Sequence, residues 1–255
     1  MKRKVVFLCG KSESSKQIYN GLKYKIKFDA VIIENPISKK KLFKRRIQKL
    51  GYSKTFGQVL FILIIPKLLN LFSRKQKEKI HKEFNLDSSP IDSGNIYEVK
   101  SANSEESLKL LTELNPDLII VNGTRILSKK TLNTTSAEFI NTHVGITPKY
   151  RGVHGGYWSL VNDDKNNFGV TIHKISEGID TGEIIYQKII TPSKEDNFIT
   201  YPLIQTAAGI ELILKAFKDF KSDNLKSNNN ITESKLWHHP TLLNYIYFRL
   251  TKKVK

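Results

Sequence analysis

The sequence predicts an α/β protein built on a Rossmann-like, mostly parallel twisted sheet with helices on both faces, followed by a small C-terminal appendage. Three observations carry that prediction. Residues 5–9 (VVFLC) form a short apolar run ending in Gly10; a polar loop and a helix-like stretch with Ile18 and Leu22 four apart follow; and residues 30–33 (AVII) form a second run closed by Asn35 and Pro36. Strand, helix, strand is a βαβ unit. Residues 117–121 (DLIIV) read as an interior strand, because a strand covered on both faces is a near-continuous hydrophobic run. A chain of 255 residues is long enough for one such domain with a generous core and a short tail. The expected division is a main domain over 1–220, interrupted by a basic and apolar helical insertion over about 37–90, and an appendage over 221–255.

The remaining elements follow in order. In the insertion a basic block gives way to the fourteen residues 59–72 (VLFILIIPKLLNLF) and then to more basic residues. That run falls short of the ~20 apolar residues a membrane span needs, and Pro66-Lys67 interrupts it. Two readings stand: a pair of helices buried on or docked to the domain, or a helix lying on an anionic membrane surface between its flanking cations. Residues 96–99 (IYEV) suit a strand. Ser104 followed by Glu105 and Glu106 starts a helix, since a serine cap and early acids suit its positive end; Leu108, Leu111 and Leu114 supply its apolar face, and Asn115-Pro116 ends it. Residues 122–127 then form a loop at a strand's carboxyl end, where open α/β sheets place their ligands. A short helical turn over 129–132 leads to residues 139–143 (FINTH), which re-enter the sheet. Residues 169–175 (GVTIHKI) alternate as a strand does, 177–182 (EGIDTG) turn, 183–189 form the next strand, and 200–218 carry a helical pattern. The rest, including residues 228–230 and 237–240 (WHHP), reads as loop and appendage.

Forty-two Lys plus Arg against twenty-four Asp plus Glu give a net charge of +18, which points to nucleic acid, an anionic membrane or phosphorylated substrates as partners. The cations cluster at 39–49, 74–79 and 252–255, and the alternative is that such blocks are solvated faces reflecting biased residue usage. One cysteine, Cys9, excludes a disulfide framework and a cysteine-cluster zinc site. Lys2-Arg3-Lys4 runs straight into the first strand with no signal peptide in view, so a cytoplasmic protein is expected, at the inner membrane face if residues 39–79 touch anionic lipid.

Asn141 and His143 are two apart, so on a strand their side chains share a face. An amide there donates hydrogen bonds to a developing oxyanion while an imidazole moves a proton. A carboxylate to orient the imidazole would complete the set, and Asp180 in the 177–182 turn is the candidate.

Residues 141–152 (NTHVGITPKYRG), followed by 169–187 (GVTIHKISEGIDTGEIIYQ), resemble the core signature of the 10-formyltetrahydrofolate-dependent formyltransferases. That group includes glycinamide ribonucleotide transformylase, methionyl-tRNA formyltransferase and sugar N-formyltransferases. Residues 123–128 (GTRILS) are similar to the loop by which the purine enzyme holds its folate. The resemblance, which covers roughly 117–190, implies the formyltransferase fold and a catalytic set of Asn141, His143 and Asp180. Asn141 and a protonated His143 would stabilise the oxyanion as a neutral amine attacks the formyl carbon, and Asp180 would raise the histidine's pKa and help move protons. It also implies that Gly123, Thr124, Arg125, Ile126 and Leu127 hold the donor, 10-formyltetrahydrofolate, with the backbone of the last three on the pterin ring, and that no metal is used.

Lys149, Tyr150, Arg151 and His154 are candidate contacts to the acceptor, against the alternative of ordinary loop residues. Trp158 is expected in the core, His173 to be structural, and His238-His239 lack the partners of a metal site. Two departures from the family bear on the acceptor. The purine enzyme's glycine-rich phosphate loop is reduced here to Gly10 before "KSESSKQ", where Lys11 and Ser12 remain as phosphate contacts, and the chain after Gln187 is too short for the tRNA enzyme's barrel. The expected acceptor is therefore a primary amine on a nucleotide-linked amino sugar. The alternatives are a phosphoribosylglycinamide formyltransferase of purine synthesis and a noncatalytic or membrane-docked binding protein on the same fold.

Overall fold

In the computed structural model, which describes residues 3–229 and 233–255, the first strand sets the layering. β1 (Val5–Gly10) is buried along its whole length. Successive side chains point to opposite faces, so Val5, Phe7 and Cys9 enter one apolar layer and Val6 and Leu8 the other. α1 (Glu13–Leu22) follows, capped by the Ser12 hydroxyl, which accepts the Ser15 N–H. Then come β2 (Ala30–Glu34), α2 (Lys39–Leu50), α3 (Tyr52–Phe72), α4 (Arg74–Glu83), β3 (Ile96–Val99) and α5 (Glu105–Leu114). β4 (Leu118–Asn122), α6 (Lys129–Leu132), β5 (Glu138–His143), β6 (Arg151–Gly152), α7 (Gly155–Val161) and β7 (Gly169–Lys174) carry the chain back through the sheet. β8 (Ile184–Ile189), α8 (Tyr201–Lys221), β9 (Leu236–Trp237) and α9 (Leu242–Thr251) complete it.

The seven-stranded sheet has the order β3-β2-β1-β4-β5-β7-β8. The five strands from β3 to β5 are parallel; β7 runs antiparallel to β5, and β8 runs antiparallel to β7, back in the direction of the five. The chain winds outward from β1 to β3, then returns to β4 on the other side of β1. That reversal opens a crevice beyond the carboxyl ends of β1 and β4, the place where such sheets bind ligands. Ile18 and Leu22 of α1 and Ile213 of α8 cover one face, and Leu111 of α5 covers the other. The predicted mostly parallel sheet with helices on both faces is the observed one.

The insertion departs from its expectation. It forms three helices, and α3 runs unbroken through Pro66. A proline inside a helix removes the N–H that would bond four residues back, here to Ile62, but Phe61, Ile65 and Leu69 on either side all pack into one apolar cluster with α7, α8 and α9. The residues after α8 return to the domain: β9 pairs with β6, Trp158 donates its indole N–H to the His238 carbonyl at 2.9 Å, and Gln58 of α3 donates to the His239 carbonyl at 2.7 Å. Asn228 pairs with Ile184; residue 230 of the expected 228–230 loop lies outside the described residues.

Candidate active site

β5 lies beside β4, so its carboxyl end opens onto the same crevice, and its alternation sends Asn141 and His143 to one face. In the antiparallel pairing with β7, Asn141 stands directly opposite His173. His173 Nδ1 lies 2.7 Å from the Lys174 carbonyl, so the ring carries its proton there and Nε2 accepts from the Asn141 amide at 3.1 Å. That bond fixes which end of the amide is nitrogen. One N–H of Asn141 goes to His173 and the second remains for a ligand.

Asp180 comes from the turn between β7 and β8. Its backbone is left-handed, with φ of 51°, a conformation in which Asp and Asn are enriched. Arg151 donates Nη1 to the Ile179 carbonyl at 2.9 Å and so ties the turn down. The carboxylate meets His143 Nδ1 at 3.2 Å and His173 Nε2 at 3.6 Å, and it accepts the Gly152 N–H at 2.9 Å. His143 Nε2 stands 2.7 Å from the Tyr150 carbonyl. Both nitrogens of the buried His143 ring therefore face acceptors, while a neutral imidazole has one proton to give.

Burial pushes the His143 pKa down and outweighs the Asp180 carboxylate and the Tyr150 carbonyl, which push it up. Asp180 does raise it, and the correction falls on the protonated imidazole: a ring this buried loses more hydration than one carboxylate restores. Burial pushes Asp180 up in turn, but the neighbouring His143 and His173 rings and the Gly152 N–H together hold it down to about 2. At neutral pH the pair is an ionised carboxylate against a neutral imidazole, with one proton between two acceptors and room for another.

These side chains line a cleft of about 410 Å³ with Ser14, Asn122, Val153 and Thr206, and the 123–127 loop forms its far wall. Glu34 organises that loop by accepting the Arg125 N–H at 2.7 Å and the Ala102 N–H at 2.8 Å, with the Arg125 guanidinium 2.8 Å from its other oxygen contact. Asn103 donates to the Ile126 carbonyl at 2.9 Å. The Arg125 N–H is therefore taken, whereas the Ile126 and Leu127 N–H groups have no partner among the described residues.

The other expected acceptor contacts lie elsewhere. Lys149 pairs with Asp164 at 2.7 Å, and the Tyr150 hydroxyl donates to the same carboxylate at 2.8 Å, so both side chains face a separate recess. His154 is half-buried outside the cleft lining, 3.0 Å from His239, and desolvation with that second ring pushes its pKa well down. Lys11 reaches Glu98 at 2.8 Å, and the Ser12 hydroxyl caps α1, leaving Ser14 as the serine of this segment on the cleft. Arg151 acts through the turn it ties down. His173, expected to be structural, is a member of the cluster; its alternating strand is legible in the sequence, but its place opposite Asn141 depends on an antiparallel register no local pattern reveals. Gly152 was hidden likewise: it acts through a backbone N–H, at φ of 94°. Among the described residues no group of three or more His, Cys, Asp or Glu side chains is placed to hold a metal ion.

Comparison with known proteins identifies a family and a shared fold. Residues 2–201 match the family model described as formyl transferase. A methionyl-tRNA formyltransferase of Finegoldia magna is 31% identical over 166 residues, 63% of this chain and 50% of that protein. One of Thermodesulfovibrio yellowstonii is 40% identical over 109 residues, 42% of this chain and 35% of that protein. The chain thus spans half or less of these curated relatives. The fold is shared with the phosphoribosylglycinamide formyltransferase of Anaplasma phagocytophilum (TM-score 0.58, 17% identity, 92% of this chain and 97% of that one). It is shared also with an N-formyltransferase of Helicobacter canadensis solved with folinic acid and dTDP-3-aminofucose (TM-score 0.54, 18% identity, 91% and 70%).

Proposed function

The chain belongs to the formyl transferase family, and on that premise we propose that it moves a formyl group from 10-formyltetrahydrofolate to a primary amine on a small, nucleotide-linked amino sugar. The observation that carries the reading is the meeting of Asn141, His143 and Asp180 from separate segments in one cleft. Its volume of about 410 Å³ suits a small-molecule site, and the unpaired Ile126 and Leu127 N–H groups suit the acceptor atoms of a pterin ring. The folate supplies the formyl carbon in a form open to attack by an amine.

The protein's part is positioning, charge stabilisation and proton transfer. The free N–H of Asn141 is the donor for the oxygen that gains charge as the amine attacks, held in place by His173. The attacking amine must shed a proton. Asp180 borders the cleft and passes it to His143 Nδ1, where the second proton satisfies both the carboxylate and the Tyr150 carbonyl at once. His143 returns that proton by the same route to the folate nitrogen released as its bond to the formyl carbon breaks, which leaves the formamide and tetrahydrofolate.

Two things support a sugar nucleotide as acceptor. The Helicobacter canadensis enzyme of the same fold was solved with dTDP-3-aminofucose, and a chain of net charge +18 favours an anionic substrate. The second reading is an aminoacyl-tRNA amine, favoured by the identity to methionyl-tRNA formyltransferases. A panel of nucleotide-linked amino sugars, glycinamide ribonucleotide and methionyl-tRNA, each incubated with 10-formyltetrahydrofolate and the protein, separates them by mass spectrometry. One added formyl group on a sugar nucleotide is expected; transfer only to glycinamide ribonucleotide or to methionyl-tRNA would replace the sugar reading.

A further inference from the structure

α3 is apolar nearly all round, yet only part of it is covered. Phe61 and Ile65 enter the core, with Thr55 and Gln58 buried beside them. Tyr52, Phe56, Leu63, Ile64 and Leu71, recurring at intervals of about one or two turns, are exposed along another side. A helix hydrophobic on every side belongs in a core or against lipid. α9 repeats the pattern: Tyr245 packs 5.3 Å from Phe61 of α3, while Leu243, Ile246, Tyr247 and Leu250, spaced i, i+3, i+4, i+7, face out. Leu71 is 76% exposed, Leu243 77% and Leu250 75%, which makes this a surface of unpartnered apolar side chains carried on two packed helices.

Cations surround it. Between Asn35 and Lys77 there are twelve lysines and arginines and no aspartate or glutamate. α2, which contacts α3, buries none of its residues and displays Lys39, Lys40, Lys41, Lys44, Arg45 and Lys49. Lys67 lies within the α3 stripe, where its stem can run along apolar surface and lift the ammonium to the headgroups. From Ser234 to the last residue acids are again absent.

We propose that α2, α3 and α9 form a docking surface for an anionic phospholipid bilayer, with the α3 and α9 stripes entering the headgroup layer and the α2 cations on the lipid phosphates. Charge complementarity selects this occupant. Apolar stripes flanked by lysine and arginine are the pattern of helices that lie in a membrane interface. Protein interfaces are depleted in lysine, and non-specific nucleic-acid binding is carried by cations on the phosphates, which leaves the two long apolar stripes without a role. The burial of Phe61 and Ile65 within the protein keeps α3 lying on the bilayer instead of crossing it. The inference goes beyond the proposed reaction and does not depend on which amine is formylated.

Sedimentation of the full chain with vesicles of phosphatidylcholine, with and without phosphatidylglycerol, tests it. The protein should pellet with the anionic vesicles and stay in the supernatant with neutral ones. Combining Lys40→Gln, Lys44→Gln and Arg45→Gln should weaken binding roughly 100-fold, at about 1 kcal/mol for each cation near an anionic surface. Leu63→Glu with Leu250→Glu should weaken it more than tenfold, and thermal melts equal to the parent's would show that these exposed changes leave the fold intact. The proposal is overturned if the parent ignores anionic vesicles, or if the Leu63→Glu, Leu250→Glu variant binds them as the parent does. It is equally overturned if the protein is a dimer that the leucine variants dissolve without vesicle binding, or if the α2 variant loses binding to a DNA duplex and the parent never pellets with lipid.

Discussion

Asn141 holds a side-chain hydrogen-bond donor in the cleft that is both oriented and half free, since His173 fixes its amide and leaves its second N–H. Asn141→Ala should therefore lower kcat/KM by roughly 100- to 1,000-fold with an unchanged melting curve, as steady-state kinetics and circular dichroism would record. His173→Ala should lower kcat through a loosened Asn141, with less effect on KM for the folate. Asp180 makes a second prediction, on stability. Its pKa falls on folding from the ordinary 3.8 to about 2, so its stabilising contribution is complete above about pH 5 and is lost as the pH drops through 2. The linkage is worth about 2 kcal/mol. Melts of the parent and of Asp180→Asn from pH 6 down to pH 2 should converge over the acid part of that range. At this scale the sequence was legible where chemistry rides on local alternation, as for Asn141 and His143. It was opaque where a side chain's partner comes from a distant strand or turn, as for His173, and where a loop residue turns away, as Lys149 and Tyr150 do toward Asp164.

Among the elements, β5, the β7–β8 turn and the 123–127 loop carry the site, while β6 and β9 hold its back wall through Gly152. A Cβ at Gly152 would lie 2.3 Å from the Trp237 carbonyl. Gly152→Ala should thus push β9 away, disturb the N–H that Asp180 accepts, and reduce kcat without unfolding the sheet. Phe61→Ala should do the opposite. It opens a cavity among Phe198, Tyr245 and Ile65 and costs about 3–5 kcal/mol of stability, measured by denaturant unfolding, while turnover by the surviving folded protein stays near the parent's. Strands with a two-residue period and helices with serine caps were legible from their own residues. The unbroken α3 was not, because Pro66 signals a stop locally and only the tertiary burial of Phe61, Ile65 and Leu69 carries the helix through it.

Over the whole molecule, the topology does what composition alone does not announce: it folds β1, β4 and β5 side by side so that segments more than a hundred residues apart in the chain meet at one end of the sheet. The βαβ opening made this architecture legible, and the net charge of +18 adds a field that no single residue owns. If the acceptor is a nucleotide, its KM should rise several-fold as salt shortens the screening length from about 10 Å at 0.1 M to about 3 Å at 1 M, while kcat holds. The most direct test of the central claim is mass spectrometry of a nucleotide-linked amino sugar after incubation with 10-formyltetrahydrofolate and either the parent or Asn141→Ala. Formyl transfer from folate to the amine that the parent catalyses, and that the folded variant all but loses, is the predicted result; equal formylation by both proteins, or none by the parent on any amine of the panel, would contradict it.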